Sequence, residues 1–324
     1  MPKLFLHVGA GKCASTSIQS FIFENATRLN EYGILVSDQS LVFGSRGDNP
    51  IFFFQDLIDR NDLSGEAVLR AVERLGRHDG LIAAENLSNP VAAQLFKEVA
   101  QYFDIHVFHV IRRQDDWLYS SWKQWYSKTG QSLGEYIDAA IQRGEPGFAK
   151  TVSAWARVAK TVKTITLDTK PSLKVETLNW LGLADDGGYS EFPSEMNPSF
   201  DFRIIDLLSR YRTVYDDAHD RKIEQFVSTY SRLGVSERFK LTADLSAKIM
   251  DRFYDENVSL LGAEIASSLL AEGRGERTAV SGFSQTDEHD FAIACLLEGM
   301  GRMAEEIAQL RADLNAVHKR TIGK

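Results

Sequence analysis

The chain has 324 residues, of which 44% are hydrophobic, and its formal net charge at pH 7 is −8. This length and apolar content exclude a mainly disordered chain and predict one large domain, or one domain with an appendage. The negative charge excludes general nucleic-acid binding, which relies on Lys and Arg to neutralise many phosphates, so any anionic ligand must meet a local cationic site.

Short apolar runs predict five β-strands, separated by helical or irregular segments. The first run ends in glycines, and apolar residues then recur at helical spacing from Ser15 to Leu29. Near-continuous apolar strands that alternate with helices are typical of a parallel sheet covered on both faces, so the sequence predicts an α/β fold of three layers. The predicted strands are Lys3–Val8, Gly33–Val36, Gly80–Ala84, Ile105–Ile111 and Val162–Leu167.

The carboxyl-terminal part is predicted to be helical. Residues 201–270 have helical patterns throughout, and the glycines and polar residues of 273–288 predict a linker. Apolar residues then recur in alternating steps of three and four, the a/d pattern of a coiled coil, over about three and a half heptads. A helix packed on the body is the alternative, although it would more often show a wider apolar face. The repeating residues are Ile293, Leu296, Met300, Met303, Ile307, Leu310, Leu314 and Val317.

These patterns predict an α/β domain over residues 1–272, with a helical portion at 198–272, a linker over 273–288 and a coiled-coil helix over 289–324. Self-pairing is the simplest way to cover a narrow apolar seam, so we expect a homo-oligomer held through residues 290–318.

The amino terminus and the cysteines bear on the compartment. The run MPKLFLHVGAG is too short for a signal peptide, and no stretch approaches the about 18 apolar residues that span a bilayer. Cys13 and Cys295 lie far apart without metal-ligand spacing, so neither a disulfide framework nor a zinc site is predicted. We therefore expect a soluble, cytoplasmic protein with no membrane span.

A cluster of glycines, a lysine and hydroxyl residues stands where the first strand turns into a helix. Glycines let the backbone approach a ligand there, and free amides and the helix dipole attract an anion. Lys12 adds a positive charge, so this turn is a candidate phosphate-binding loop in a P-loop-like fold. An ordinary βα turn with a capping serine is the alternative. The candidate binding residues are Gly9, Gly11, Lys12, Cys13, Ala14, Ser15, Thr16 and Ser17.

This loop departs from the Walker A pattern of nucleoside triphosphatases at two positions. Leu6 stands where the first glycine belongs, and Cys13 follows the lysine where Ser or Thr would bind magnesium. A thiol beside Lys12 at a helix start also predicts a reactive thiolate at Cys13, unless burial dominates.

A second candidate anion site follows the fourth predicted strand. Arg112 stands at the end of that strand, and Ser120 follows eight residues later, just over two turns into the next helix. Ligands of doubly wound sheets bind at the carboxyl ends of strands, so Arg112 and the glycine loop would face one crevice. Two such sites suggest a nucleotide with phosphate at both ends. Because Asp115 and Asp116 are near, a salt-bridged helix start is the alternative.

Together these motifs resemble those of the sulfotransferases that use 3′-phosphoadenosine-5′-phosphosulfate (PAPS), especially the bacterial and Golgi-type branches. The resemblance covers residues 3–260 and is specific at 5–20 and 105–125. Ala14 and Ser15 replace a Gly and a Thr of the family loop H-x-G-x-x-K-x-G-T-T-S, which is matched at His7, Gly9, Lys12, Thr16 and Ser17.

The family motif for the 3′-phosphate is an Arg with a Ser eight positions on, which falls on Arg112 and Ser120. Arg113-Gln114 stands where the family commonly has Asp-Pro. The catalytic base carries over to Glu85, which follows the third predicted strand; a solvated loop glutamate is the alternative.

The resemblance implies transfer of a sulfuryl group from PAPS to a hydroxyl or amine acceptor, with a carbohydrate as the expected acceptor. Lys12 and Glu85 would be the catalytic residues, and no metal is required. An aromatic-rich helix could stack on a sugar or adenine ring, although such a cluster is more often core. These aromatic residues are Trp117, Tyr119, Trp122, Trp125 and Tyr126.

Two other functions stay open. A P-loop kinase would need a triphosphate and a magnesium ligand after Lys12, which Cys13 supplies poorly. A degenerate, non-catalytic nucleotide-binding protein displayed on a coiled coil is the other alternative.

Overall fold

The computed structural model describes residues 1–44, 46–167, 172–192, 202–209, 215–231, 241–274 and 285–322. The chain forms two compact units. The first unit comprises residues 1–117, 143–196 and 248–272, and the second comprises 118–142, 197–247 and 273–324. Residues 118–142 and 197–247 therefore group with the tail, although the sequence placed them in the domain 1–272.

A five-stranded parallel sheet forms the centre of the first unit, with the strand order β2-β3-β1-β4-β5. The strands form where the apolar runs predicted them, with bounds shifted by one residue at most, so the predicted α/β fold with a parallel sheet is confirmed. They are β1 (Lys3–Val8), β2 (Ile34–Val36), β3 (Asp79–Ala84), β4 (Asp104–Ile111) and β5 (Thr161–Thr166).

Helices cover both faces of this sheet. Leu4 and Leu6 of β1 point to one face, where they pack with Phe54 and Trp155, while Phe5 points to the other. This alternation is the period of two of a strand. The α-helices of the described residues are α1 (Ser15–Glu24), α2 (Ala26–Glu31), α3 (Ile51–Asp59), α4 (Glu66–Val72), α5 (Gln114–Ser121), α6 (Leu133–Arg143), α7 (Phe148–Trp155), α8 (Leu173–Leu181), α9 (Phe202–Ser209), α10 (Lys222–Tyr230), α11 (Ala243–Arg252), α12 (Tyr254–Leu261), α13 (Ala263–Arg274) and α14 (Gln285–Ile322).

Two helical predictions need correction. The segment Ser15 to Leu29 is two helices, because the Asn25 side chain donates to the Phe21 carbonyl at 2.7 Å and accepts from the Ser190 amide at 3.0 Å, which ends α1. Residues 201–270 are not helical throughout, since 215–221 form turns and bends and Gly262 separates α12 from α13. Residues 210–214 and 232–240 lie outside the described part of the chain.

The tail also differs from its predicted bounds. Helix α13 extends to Arg274 and α14 begins at Gln285, so both ends of the predicted linker 273–288 are helical, and 275–284 lie outside the described residues. The first part of α14 packs within the second unit, where Ala292 and Cys295 are buried against Ile204, Leu208 and Val227. At Ala292 and Cys295 the helix is therefore packed on other helices, as the alternative to a free coiled coil expected.

Across the described ranges, no helix combines the length and the apolar character needed to cross a bilayer.

Candidate active site

The candidate site lies in the first unit, at the carboxyl edge of the sheet. Val8, the last residue of β1, pairs with Ala84, the last residue of β3. The glycine loop after Val8 and the turn that starts at Glu85 therefore leave the sheet side by side. On the other side of β1, His7 pairs with Phe108 of β4, whose final residue is Ile111. The chain after β1 continues on one side of it, towards β3 and β2, and the chain after β4 continues on the other side, to β5. Doubly wound sheets bind ligands at such a switch point.

The backbone of the glycine loop turns tightly before α1. Lys12 and Ala14 have positive φ angles of 67° and 57°, and the Cys13 amide donates to the Ala10 carbonyl at 3.2 Å. Gly9 has no room for a side chain, since an added Cβ would lie 2.7 Å from His7 Cε1 and 2.8 Å from Ser15 Cβ. The first amides of a helix have no partners within it, so this turn presents donors beside the Lys12 side chain.

Trp117 anchors this loop, a contact that the sequence reasoning missed. Its indole Nε1 donates to the Gly11 carbonyl at 2.8 Å, and its ring lies edge-on to Phe148 with centroids 6.4 Å apart. The hydrogen bond fixes the peptide that precedes Lys12. The predicted aromatic cluster thus contributes to the site through a structural contact.

Ser15 and Glu85 contact each other directly. The Ser15 hydroxyl donates to Glu85 Oε2 at 3.2 Å, although the two residues are 70 positions apart in the chain. Ser15 is 3% exposed and Glu85 is half-buried. A predicted ligand of the loop and the predicted base are therefore parts of one hydrogen-bonded pair.

The turn that carries Glu85 is held by α7. Glu85–Ser88 forms a short 3₁₀ helix, in which the Ser88 hydroxyl donates to the Glu85 carbonyl at 2.8 Å. From α7, the Thr151 hydroxyl donates to the Ser88 carbonyl at 2.6 Å and Trp155 Nε1 donates to the Leu87 carbonyl at 3.0 Å. These contacts restrict the position of the carboxylate. Neither α7 residue was predicted to support the site.

Arg112 follows β4 beside the loop. Its side chain is 34% exposed, and its Nε lies 3.9 Å from Asp116 Oδ2. This loose, partly exposed pair costs little to break. The backbone amide of Arg112 contacts the Cys13 thiol, so the residue after Lys12 touches the end of β4.

Arg113 points into the protein, unlike its neighbour. It is fully buried and forms a bidentate pair with Asp115, with Nε–Oδ1 at 3.1 Å and Nη2–Oδ2 at 2.9 Å, and its Nη1 donates to the Leu269 carbonyl. Gln114 and Asn257 exchange two amide hydrogen bonds, at 2.6 and 3.0 Å. The residues that replace the Asp-Pro of the resembling family thus anchor the start of α5 to α12 and α13, and Arg112 alone of the two arginines is exposed.

The expected reactive thiolate at Cys13 is wrong. Cys13 is fully buried, and burial raises the pKa of its thiol to about 12; the nearby Arg112 charge opposes only part of this shift. Cys295 is buried as well. Burial therefore outweighs the effect of Arg112 on the thiol pKa, and the Cys13 side chain belongs to an apolar cluster with Ala10, Ile111 and Phe148.

Two buried histidines flank the strand ends. Burial lowers the pKa of His7 to about 3, with His109 as a smaller cause, and burial lowers the pKa of His109 to about 4. Both imidazoles are therefore neutral at pH 7. The residue that matches the family loop at position 7 is therefore a buried, uncharged imidazole packed against Gly9.

The other predicted ligands occupy different environments. Thr16 is exposed and Ser17 is half-buried, both in the first turn of α1. Ser120 is a half-buried residue of α5, in the part of that helix that belongs to the second unit. Its place as a ligand alongside Arg112 stays a prediction.

Most of the aromatic cluster after Trp117 is packed in the second unit. Trp122 is fully buried and donates to the Gln131 carbonyl at 2.8 Å, and Tyr119 stacks on it with centroids 6.5 Å apart. Tyr126 stacks on Tyr136 at 4.3 Å. These contacts favour the interpretation of the cluster as core.

The fold and site define a three-layer α/β protein with a glycine loop, a lysine, a carboxylate and an arginine at one sheet edge. No protein-family model matches the sequence, and no curated protein matches it. Among solved structures, the chain is similar to a sulfotransferase from Alicyclobacillus acidocaldarius, with 18% sequence identity and a TM-score of 0.34; the match covers 65% of this chain and 94% of that one.

Proposed function

We propose that this chain is a sulfotransferase that moves a sulfuryl group from PAPS to a hydroxyl or amine acceptor. The observation that carries the proposal is the meeting of three groups at one edge of the sheet. The loop with Lys12 follows β1, Glu85 follows β3 and is bonded to the loop through Ser15, and Arg112 follows β4 and touches the loop through Cys13.

These residues suit a ligand that bears anionic groups at two places. Lys12, the first amides of α1 and the hydroxyls of Ser15, Thr16 and Ser17 would hold the 5′-phosphosulfate. Arg112, with Ser120 as its predicted companion, would hold the 3′-phosphate through charge-assisted hydrogen bonds. Since Arg113 is paired in the interior, Arg112 is the cation that the end of β4 offers to a ligand.

The chemical step follows from where charge moves. The acceptor oxygen or nitrogen bonds to sulfur, the bond from sulfur to the 5′-phosphate oxygen breaks, and the acceptor proton passes to Glu85. Adenosine 3′,5′-bisphosphate leaves with a new negative charge, which Lys12 stabilises. A reaction of this kind depends on in-line positioning and on stabilising charge at the leaving oxygen.

The acceptor class that we propose is a carbohydrate. In the resembling enzymes a glutamate base belongs to the carbohydrate-acting branch and a histidine base to the cytosolic small-molecule branch. The residue after β3 is Glu85.

The kinase alternative is weakened by Cys13. Magnesium prefers hard oxygen ligands. The residue after Lys12 is a buried thiol whose pKa is raised by burial, in the position where a Walker A hydroxyl would bind the ion.

Calorimetry with adenosine 3′,5′-bisphosphate tests the proposed function. We expect binding of this product in buffer that contains EDTA, and weaker binding of ATP with or without magnesium, because ATP has no 3′-phosphate. Absence of binding by adenosine 3′,5′-bisphosphate would favour the non-catalytic alternative, and magnesium-dependent preference for ATP would favour the kinase.

Replacing Glu85 by glutamine tests the base. We expect Glu85→Gln to lower the transfer rate by about 100-fold or more, because a positioned general base contributes typically that much. The affinity for adenosine 3′,5′-bisphosphate should change little, since the amide can still accept from Ser15. An exposed carboxylate, Glu98→Gln, is the matched control. A Glu85→Gln enzyme with wild-type turnover would remove Glu85 from the mechanism.

Replacing Arg112 tests the second anion site. We expect Arg112→Ala to weaken adenosine 3′,5′-bisphosphate by roughly 10-fold or more while adenosine 5′-phosphate is little affected, because a hydrogen bond to a charged group contributes about 1.5–3 kcal/mol. Ser120→Ala should act in the same direction with a smaller effect. The measurement is the ratio of the two dissociation constants. Equal losses for both nucleotides would mean that Arg112 does not contact the 3′-phosphate.

A further inference from the structure

Helix α14 has one face that is already covered within the second unit. Ala292 and Cys295 are fully buried there, and Leu296 packs beside them. At Gly299 an added Cβ would lie 2.8 Å from Phe226 Cε1 of α10, so the helix approaches α10 closely. We call the side that carries Ala292, Cys295, Leu296 and Gly299 the inner face.

Other apolar residues of α14 are uncovered, some beside the inner face and some further along the helix. Ile293, Leu297 and Met300 are 49%, 62% and 56% exposed. From Ala304 to Leu314 every residue is exposed, including Ile307 at 41%, Leu310 at 61% and Leu314 at 69%. The apolar side chains of these later turns therefore lack the tertiary contacts that cover the inner face, although Glu306 keeps a polar contact with Tyr230.

A helix of this kind requires a partner to be stable. Most helical stability in proteins comes from packing an apolar face, and isolated helices gain little from propensity alone. The apolar residues of these turns follow a heptad in which Met300, Ile307 and Leu314 are a positions and Met303, which is half-buried, Leu310 and Val317 are d positions. We call these six residues the outer seam; the side chain of Val317 lies outside the described part, and its place is read from the sequence.

We propose that the outer seam pairs with the outer seam of a second copy of this chain, as a parallel two-stranded coiled coil. The number of strands follows from the central layer of the seam. Ile307 at a and Leu310 at d form the combination that favours two strands over three or four.

The charges beside the seam determine the orientation. Glu306 is a g position and Arg311 is the e position of the next heptad; parallel helices bring these two positions of opposite copies together. Asp313 is the next g position. In an antiparallel pair g positions face each other, which would oppose the acidic Glu306 and Asp313 of the two copies.

Glu306 can accept a hydrogen bond from Arg311 of a second copy in addition to the one it already accepts. It is exposed, and it accepts a hydrogen bond from the Tyr230 hydroxyl of α10, which is the main cause of the raised pKa of Tyr230. A carboxylate accepts several hydrogen bonds, so Arg311 of a second copy can share it.

Light scattering on the full chain tests the pairing. We expect a mass of about twice the 36.4 kDa of one chain, and a single-chain mass for Ile307→Asp combined with Leu310→Asp. Ala308→Asp combined with Ala312→Asp is the matched control; these exposed residues lie on α14 outside the seam, and the dimer mass should persist. A wild-type monomer, a trimer, or a seam variant with unchanged mass would overturn the proposal.

A charge exchange tests the parallel orientation. Glu306→Arg and Arg311→Glu should each weaken the dimer by placing like charges together, and the double variant should restore it. Single variants that dimerise as well as the wild type, or a double variant that stays monomeric, would contradict this orientation. Removing the whole helix after about Gly282 is unsuitable, because it would also delete Ala292 and Cys295 from the core of the second unit. None of these outcomes depends on the proposed sulfuryl transfer.

Discussion

Replacing Lys12 by alanine is expected to lower the rate of sulfuryl transfer by about 100-fold or more, the loss typical when a charge-stabilising group is removed from an active site. Lys12 follows the Gly11 peptide that Trp117 fixes, in a turn with φ of 67°. The alanine variant keeps the Cβ and therefore changes the backbone preference little. The interaction that we expect to govern the rate is the one between the ammonium group and the charge that develops on the leaving phosphate.

The measurement is single-turnover transfer at saturating nucleotide, so that weaker binding does not enter the rate. Lys97→Ala removes the same charge from an exposed position and serves as the control. A similar melting temperature for both variants would show that the fold is intact. A Lys12→Ala rate within a few-fold of wild type would remove Lys12 from its proposed role.

Replacing Arg113 by alanine is expected to destabilise the protein by about 3–5 kcal/mol, because it leaves a buried charge without its partner. The variant would remove the ion-pair partner of the fully buried Asp115 carboxylate, to which the Asp116 amide still donates, and would remove the donor to the Leu269 carbonyl. The adjacent Arg112→Ala is the internal comparison. Its loose pair with Asp116 is 34% exposed on the arginine side, so we expect the loss of that pair to cost about 1 kcal/mol or less.

Urea denaturation measures both changes through the shift of the midpoint at constant slope. Replacing the pair together, as Arg113→Met with Asp115→Leu, should recover much of the lost stability because no lone buried charge remains. If Arg113→Ala and Arg112→Ala proved equally mild, the interior pair would not be what anchors the start of α5.

The two neighbouring arginines illustrate the limit of the sequence argument. The motif Arg with Ser eight positions on selected Arg112, yet the same local sequence allowed a salt-bridged helix start. In the structure Arg113 forms a buried pair with Asp115, while Arg112 lies 3.9 Å from Asp116 and its role as an anion site stays a prediction. Which arginine turns inward depends on Leu269, 156 residues away, and no local pattern encodes that contact.

Helix α14 shows that the sequence pattern also does not predict which part of an apolar stripe is covered. The heptad pattern predicted one narrow apolar stripe along the helix. On a lone helix the whole stripe would be exposed. In the structure, α9 and α10 cover the early part of this stripe on the inner face and leave its later part, in the outer seam, exposed. The sequence does not contain this division, because it arises from where α9 and α10 lie.

The sequence by itself determined the five strands, the glycine loop before α1, and the positions of Glu85 and Arg112 at strand ends. These features depend on apolar runs, on residue periodicity and on glycine, all of which act within a few residues. Only the tertiary structure decided the strand order, the bond from Trp117 to Gly11 across 106 positions and the bond from Ser15 to Glu85 across 70. It also decided that Cys13 is buried, which raises the pKa of its thiol, because burial depends on which distant side chains pack over a residue.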